Sequence, residues 1–201
     1  MIIDADDKMA VKEAIKIIEN DGIIAFATDT IYGIAVNAGS EKAVDKLYEL
    51  KKRDLRKPIA IFLPNLAAAQ EIFLFDKLSL KLAKKYLPGA LTLVLRINKN
   101  SQVLARSLNQ NNDEFLGFRI VDNLFIKNFF HNFKGCLAVT SANISGENPA
   151  LNALEVEKYF PNLDLIIDDK IKFGVPSTVI KIFNNQATIL RRGAIIIEDL
   201  N

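Results

Sequence analysis

"IIAFATDTIYGIAVNAGSEKAVDKLYEL", residues 23–50, carries the alternation that decides the fold. The apolar run at 23–28 predicts a buried strand, and the polar residues after it predict a loop before a second short apolar segment at 34–39. Ser40 then precedes apolar residues at helical spacing, as an N-cap does. A strand, a loop, an apolar segment and a helix in succession are typical of an α/β protein.

The same alternation continues along the rest of the chain. A helix is predicted at about residues 7–20, with further helices at 65–75, 77–87, 123–133 and 153–160. Strands are predicted at 58–63, 91–97, 115–121, 136–140 and 163–167, followed by a hairpin of 177–183 with 186–190 and an apolar segment at 193–197. Together they predict one α/β domain over residues 1–201, with a twisted, mixed β-sheet and flanking helices.

The composition excludes several classes of protein. Half of the 201 residues are hydrophobic and 25% are charged, which is typical of a compact globular protein. The single cysteine, Cys136, excludes an intramolecular disulfide and favours a reducing compartment. The N-terminus does not resemble a secretory signal, and no segment has the roughly 20 apolar residues that span a membrane. We therefore expect a soluble, cytoplasmic protein.

The single histidine, His131, restricts the chemistry further. It lies among phenylalanines and is expected at the edge of the core, so neither a Ser-His-Asp triad nor a two-histidine metal site is expected. The net charge is only +2, yet residues 46–57 hold six basic and two acidic residues. A basic segment on an otherwise near-neutral chain favours a specific anionic ligand at least as much as a nucleic acid.

Polar residues gather where predicted strands and helices end, which is where open α/β sheets bind ligands. Thr30 and Tyr32 follow the first strand and could orient a small polar substrate; the alternative is an ordinary capped turn. Lys51 and Arg53 are two residues apart, so both can face one site only if the helix ends there. The alternative for these cations is a solvated helix end.

Three more clusters complete the candidate site. Ser141 and Asn143, with the backbone amides around them, could form an anion nest. Arg119 interrupts an apolar strand and needs an anionic partner if it points inward. Ser177 and Thr178 begin a strand, and Arg191 ends one. The chain has neither a Walker A motif nor G-x-G-x-x-G, so standard phosphate-binding loops do not explain the set.

In this order the motifs resemble those of the YrdC/TsaC family, the L-threonylcarbamoyladenylate synthases. The resemblance covers roughly residues 10–197 and departs from the family pattern at Ala27, Val121, Phe62 and residues 168–170. The segments that carry it are "FATDTIYGIAVNA" (26–38), "LKKRDLRKPIAIFL" (50–63), "YLPGALTLVL" (86–95), "GFRIV" (117–121), "TSANISG" (140–146), "PSTVI" (176–180) and "ILRRGAI" (189–195).

The resemblance implies a YrdC-like domain with an open basic cavity. It also implies a reaction in which L-threonine, bicarbonate and ATP, with Mg²⁺ bridging the phosphates, give threonylcarbamoyl-AMP and pyrophosphate. Other proteins would then transfer the threonylcarbamoyl group to tRNA. Lys51 and Arg53 would be catalytic, and no metal would be held by protein ligands alone. Arg53, Lys57, Ser141, Asn143 and Arg191 would bind the nucleotide, while Thr30, Tyr32, Arg119, Ser177 and Thr178 would bind threonine.

Two other functions remain open at the level of sequence. The first is an RNA-binding module that uses residues 46–57 on tRNA or double-stranded RNA without catalysis. The second is a related carbamoyl-adenylate enzyme that acts on another amine, although the acylphosphatase and zinc-finger parts of such larger proteins are not visible here. The polar segment 98–114 is long enough to be a lid over the site.

Overall fold

A computed structural model describes residues 1–99, 101, 104–109 and 114–198, and the positions of the strands and helices follow the predicted alternation. The strands are β1 (Ile2–Asp4), β2 (Ile24–Ala27), β3 (Tyr32–Asn37), β4 (Ala60–Phe62), β5 (Leu91–Arg96), β6 (Phe115–Arg119), β7 (Leu137–Ser141), β8 (Leu165–Asp168), β9 (Thr178–Phe183) and β10 (Gln186–Arg191). The helices are α1 (Ala10–Glu19), α2 (Glu41–Lys51), α3 (Leu66–Ile72), α4 (Lys77–Tyr86), α5 (Leu124–Asn132) and α6 (Ala153–Tyr159), with a 3₁₀ turn at Arg106–Asn109. Seven residues of the predicted lid at 98–114 lie outside the described residues.

The strands form one mixed sheet in the order β1-β8-β2-β3-β7-β4-β6-β5-β9-β10. Strand β8 is parallel to both β1 and β2, and β9 is parallel to β5. Most other neighbours, including β3 with β7, are antiparallel. The predicted mixed sheet with flanking helices is therefore confirmed.

Local signals explain where the helices begin. Ser40 accepts a hydrogen bond from the Ala43 amide at 3.2 Å, so the predicted N-cap of α2 is confirmed. Asp76 forms a capping box with Ser79 at the start of α4. Asn123 accepts a hydrogen bond from the Ile126 amide at the start of α5.

The helices cover the two faces of the sheet unequally, which creates a cavity. On one face α2, α4 and α6 lie against β3, β5 and β8 over a large apolar core. On the other face α1 and α5 pack together over β8, β2 and β3, with Phe26 and Phe129 fully buried between them. The part of this face formed by β4, β6, β5 and β9 lines a cavity instead. The sheet is therefore open to ligands there.

Two segments differ from the sequence-based expectation. Strand β1 was not expected, because three residues after the N-terminus carry too little periodicity; it forms by pairing Ile2 and Ile3 with Ile166 and Ile167. Residues 193–197 are apolar but form no strand. They pack against the start of β9 instead, where Thr178 donates a hydrogen bond to the Ile195 carbonyl. His131 is exposed on α5, beside buried phenylalanines.

Candidate functional site

The uncovered part of the sheet forms the floor of a cavity of about 670 Å³. Its described lining residues include four cations, Arg53, Arg119, Lys181 and Arg191, against one carboxylate, Glu147. The floor between them is apolar or small. It is formed by Ala60, Phe62, Val94, Gly117, Val139 and Val179. A pocket of this volume accommodates a ligand of nucleotide size, and its excess of cations favours an anion.

Arg119 and Asp29 form a buried ion pair at one end of the cavity. The Arg119 Nη2 donates to Asp29 Oδ1 at 2.5 Å, Nη1 donates to Thr30 Oγ1 at 2.8 Å, and Nε donates to the Gly89 carbonyl at 2.9 Å. The Arg119 and Asp29 side chains are 4% and 1% exposed. Burial raises the pKa of the Asp29 carboxyl, and the Arg119 charge opposes that rise. The inward-pointing cation predicted from sequence thus has its anionic partner.

The turn between β2 and β3 holds Thr30 in place. Thr28 Oγ1 accepts hydrogen bonds from the Thr30 and Ile31 amides at 3.0 and 3.2 Å, as a local side-chain turn does. Tyr32 lines the cavity, but its hydroxyl donates to the Asp169 carbonyl at 2.7 Å. Burial raises the pKa of the Tyr32 hydroxyl, so it stays protonated at neutral pH. Any contact of Tyr32 with a ligand therefore uses its ring unless this hydrogen bond opens.

Ser177 holds a second arginine, Arg191, near this end, where burial and, to a smaller extent, the Arg191 charge lower the pKa of Arg119. Arg191 donates to the Ser177 carbonyl at 2.9 Å and to Ser177 Oγ at 3.2 Å. Ser177 Oγ also lies 2.8 Å from Thr92 Oγ1, so the two hydroxyls share one hydrogen bond. Thr178 does not line the cavity, because its hydroxyl accepts hydrogen bonds from the Gly193 and Ile195 amides.

At the opposite end of the cavity, helix α2 ends at Lys51, in agreement with the helix end predicted there. Lys52 follows in the left-handed region at φ 49°, which turns the chain. Lys51 lies behind the loop after β7, where its Nζ donates to the Ser141 carbonyl and, at 3.0 Å, to Asn143 Oδ1. Burial and the Arg53 charge lower the pKa of Lys51 to about 7. Lys51 is not among the residues that line the cavity.

Arg53 does line the cavity and is held by main-chain oxygens. Its Nε donates to the Lys57 carbonyl at 3.1 Å and its Nη2 to the Pro58 carbonyl at 3.0 Å. Lys57 contributes this carbonyl, whereas its side chain is exposed and does not line the cavity. The helix end therefore presents one cation to the cavity instead of the three expected.

The loop after β7 offers a ligand in the cavity its side chains more than its main-chain amides. Ser141 Oγ donates to Asn143 Oδ1 at 2.6 Å, and Asn143 Nδ2 donates to the Glu147 carbonyl at 2.6 Å. The predicted anion nest is wrong for two of its amides: Ala142 N donates to Tyr32 O at 2.9 Å and Asn143 N donates to Ser141 O at 3.0 Å. These amides are used to fold the turn, so an anion would meet mainly the side chains of Ser141 and Asn143.

The structure brings most of the predicted site together and adds residues that the sequence did not indicate. The predicted residues that line the cavity are Thr30, Tyr32, Arg53, Arg119, Ser141, Asn143, Ser177 and Arg191. Thr92, Glu147 and Lys181 also line it and were not predicted. Thr92 and Lys181 lie on strands β5 and β9. Because successive strand residues point to opposite sides of a sheet, a polar residue between apolar ones resembles an ordinary solvent-facing position. Only their place in the sheet identifies them.

The described residues contain no group of three or more His, Cys, Asp or Glu side chains that could hold a metal ion. Glu147 is the single described carboxylate on the cavity lining, which suits a cation that arrives with phosphate ligands better than a protein cage. No helix in the described part of the chain is long and apolar enough to cross a membrane.

Comparison with known proteins gives consistent results. The family model Sua5/YciO/YrdC, described as "Telomere recombination", matches residues 16–193. A protein of Methanocaldococcus jannaschii is 34% identical over 188 residues, which are 92% of this chain and 86% of that protein. The human protein "Threonylcarbamoyl-AMP synthase" is 34% identical over 161 residues, which are 79% of this chain and 55% of the human protein.

A solved structure agrees with the fold. The crystal structure of Sua5 from P. abyssi in complex with L-threonine is similar with a TM-score of 0.88 and 27% sequence identity. The match covers 96% of this chain and 57% of the P. abyssi chain. The chain thus spans little more than half the length of the human and P. abyssi relatives.

Proposed function

The chain belongs to the Sua5/YciO/YrdC family, and we propose on this basis that it is a threonylcarbamoyl-AMP synthase. It converts L-threonine, bicarbonate and ATP into threonylcarbamoyl-AMP and pyrophosphate. The product then serves other proteins that transfer the threonylcarbamoyl group to tRNA. The observation that carries this proposal is a cavity with Arg53 at one end and Arg119 with Arg191 at the other, each end including hydroxyl or amide side chains.

Sheet register separates the two ends. Val139 of β7 pairs with Ala60 of β4, and continuing this pairing places Ser141 level with Pro58, where Arg53 is bound. Phe62 at the other end of β4 pairs with Arg119. Across the apolar floor between them, a nucleotide at the Arg53 end and an amino acid at the Arg119 end would meet in the middle.

Threonine occupies the Arg119 end. Its carboxylate accepts from the guanidinium, which Asp29 holds in a fixed plane, and the hydroxyls of Thr30 and Ser177 lie beside it. Asp29 neutralises Arg119 in part, so the pair orients the carboxylate without binding it so tightly that the product cannot leave. Phe62 covers the guanidinium, with the Arg119 Cζ atom 5.9 Å from the ring centroid.

ATP occupies the other end, with its phosphates between Arg53 and the side chains of Ser141 and Asn143. Lys51 acts as a positioning residue, because its hydrogen bonds hold Ser141 and Asn143 from behind. Mg²⁺ bound with ATP would neutralise phosphate charge, and Glu147 is the carboxylate of the described cavity lining that could help to hold it.

The chemistry then depends on neutralising charge and aligning the reactants. The threonine amine attacks bicarbonate and expels hydroxide, which leaves as water after proton transfer, to give N-carboxythreonine. A carboxylate oxygen of that carbamate attacks the α-phosphorus, and the bond to pyrophosphate breaks. Neither step needs a histidine or a thiol. Cys136 is buried away from the cavity, and burial raises the pKa of its thiol to about 11.

The test is pyrophosphate release from ATP by the purified protein, with L-threonine and bicarbonate added singly and together. We expect release only when both are present, with a product of the mass of threonylcarbamoyl-AMP. Tight tRNA binding without turnover would instead favour the RNA-binding module. Release with another amine but not with threonine would favour a related carbamoyl-adenylate enzyme.

A further inference from the structure

Lys181 is a cation of the cavity wall to which neither the sequence nor the proposed reaction assigns a role. It lies on β9, where it pairs with Val94 of β5, and both side chains line the cavity. The Lys181 ammonium lies 3.7 Å from the centroid of the Phe115 ring. This distance is typical of a cation–π contact, which fixes an otherwise flexible side chain.

Phe115 is itself held in position. Its ring meets Phe183 edge to face, with centroids 5.5 Å apart and planes at 85°. It begins strand β6, next to β4 in the sheet. The ring therefore forms a fixed support, and the Lys181 ammonium above it is directed into the cavity from the β9 side.

The sheet register places this ammonium at the Arg53 end. Phe62 pairs with Arg119 and Ile61 with Phe118, and continuing this parallel pairing brings Pro58 level with Phe115. Arg53 donates to the Pro58 carbonyl at 3.0 Å. Arg53 and Lys181 thus approach the same end of the cavity from opposite walls.

No described carboxylate pairs with Lys181, and the lining around it includes Val94, Val179 and Leu190. A cation held over an apolar wall without a counter-ion favours an anion from outside the chain. Cations on two opposite walls suit an extended anion with several charges better than a single carboxylate. A polyphosphate has this shape and charge.

We propose that Lys181, supported by Phe115, binds the terminal phosphates of the nucleotide and holds the pyrophosphate that leaves. This inference rests on the proposed function for the identity of the nucleotide, but polyphosphate binding is measurable without turnover. Arg53, Ser141 and Asn143 then contact the phosphate nearest the reacting centre, and Lys181 contacts the far end of the chain of phosphates. The bond that breaks lies between the two groups, so Lys181 stabilises charge on the leaving group.

Calorimetric binding of inorganic pyrophosphate, ATP and AMP to the full chain tests the proposal. In Lys181→Met we expect the dissociation constants of pyrophosphate and ATP to rise about tenfold, as expected for losing one charge-assisted contact, while that of AMP stays within about twofold. Lys181→Arg should restore most of the pyrophosphate affinity. Phe115→Leu keeps an apolar side chain but removes the ring, and should weaken pyrophosphate binding in the same direction.

Lys12→Met is the matched control, because Lys12 is exposed on α1, outside the cavity lining, and its loss changes the net charge equally. Unchanged pyrophosphate binding in a folded Lys181→Met protein would overturn the proposal. An equal loss of AMP affinity would also overturn it, since Lys181 would then act on the nucleoside or through the overall positive potential of the cavity. If pyrophosphate binding depends on Lys181 but no threonylcarbamoyl-AMP forms, the proposed function fails and this inference stands.

Discussion

Lys51 and Arg53 are two residues apart and lie in different surroundings because helix α2 ends between them. Lys51 completes the helix and points behind the loop after β7, where its Nζ meets Ser141 and Asn143. Arg53 comes after the left-handed residue Lys52 and lines the cavity. One backbone turn thus separates a side chain buried behind the cavity wall from a side chain that lines the cavity.

Replacement of Arg53 or Ser141 by alanine should slow adenylate formation and leave the fold intact. In the proposed complex each change removes a side chain that contacts the phosphates, and loss of one transition-state donor typically lowers the rate by about 10²–10³. Arg56→Ala is the control, since Arg56 is exposed and pairs with Asp54 at 2.9 Å. Wild-type pyrophosphate release in either variant would refute the assigned role.

The pH dependence of ATP affinity should depend on Lys51. Its lowered pKa of about 7 means that the charged form predominates below that pH and is lost as the pH rises. We therefore expect the dissociation constant of the wild type for ATP to rise between about pH 6 and about pH 9. In Lys51→Met this additional rise should be absent. Titration of ATP itself is common to both proteins and cancels in the comparison. Parallel pH profiles would exclude this role.

At the scale of elements, the β2–β3 turn is tied to β6 by the ion pair of Asp29 with Arg119. Both side chains are buried, and Asp29 Oδ2 has no hydrogen-bond partner among the described residues. The connection from β8 to β9 crosses the same turn: the Phe173 amide donates to the Asp29 carbonyl at 3.1 Å and the Gly174 amide to the Thr30 carbonyl at 2.9 Å. Three separate parts of the chain thus meet at the Arg119 end of the cavity.

Removal of one partner of this ion pair should destabilise the protein strongly. Arg119→Met leaves the Asp29 carboxyl buried without its partner, and breaking a buried pair in this way typically costs about 3–5 kcal/mol. The double variant Asp29→Leu with Arg119→Met removes both charges and should recover a large part of that loss. Urea unfolding measures both. A double variant as unstable as the single one would show that packing, and not the unpaired charge, determines the cost.

Gly193 is a second position where elements meet closely. A Cβ atom there would overlap the main chain of Pro176 and Ser177, which cannot yield as a flexible side chain would. Gly193→Ala should displace the start of β9 with Ser177 and raise the KM for threonine more than the KM for ATP. Gly146→Ala provides a contrast: its φ is +96° but open space surrounds the site, so any effect there comes from backbone strain. Equal KM values for threonine in Gly193→Ala and the wild type would contradict this contact.

On the scale of the whole molecule, the sheet joins residues from both ends of the chain. Strand β8 lies between β1 and β2, so Ile2 pairs with Ile166 and Ile24 with Leu165. The cavity is formed by strands from β3 to β10, with no local hairpin sufficient to build either end. The site can therefore exist only when these strands are assembled in the sheet.

Unfolding should accordingly be a single cooperative transition. Far-UV circular dichroism reports the helices and the sheet, and fluorescence of the four tyrosines, in a chain without tryptophan, reports their local surroundings. We expect both signals to change at the same urea concentration. Separate transitions would mean that part of the sheet folds independently, and that the cavity can be lost while other strands persist.

Periodicity and local signals in the sequence predicted the elements that form from nearby residues. The N-cap at Ser40, the end of α2 before Arg53 and the buried strands at β2 and β7 all depend on residues within one or two turns of each other. The motifs also indicated the clusters around Thr30, Ser141 and Arg119. Strand β1 escaped prediction because its partner, β8, is about 160 residues away in sequence.

Only the tertiary structure decided which of these side chains share the cavity. Lys51, Lys57 and Thr178 belong to the predicted clusters but face away from it, whereas Thr92 and Lys181 lie in ordinary-looking strands and face into it. A side chain's direction depends on strand register and on which face the helices leave open, and both are set by contacts between distant parts of the chain. The residue types therefore determine which chemistry is possible, and the packing of the sheet determines where in the molecule it can take place.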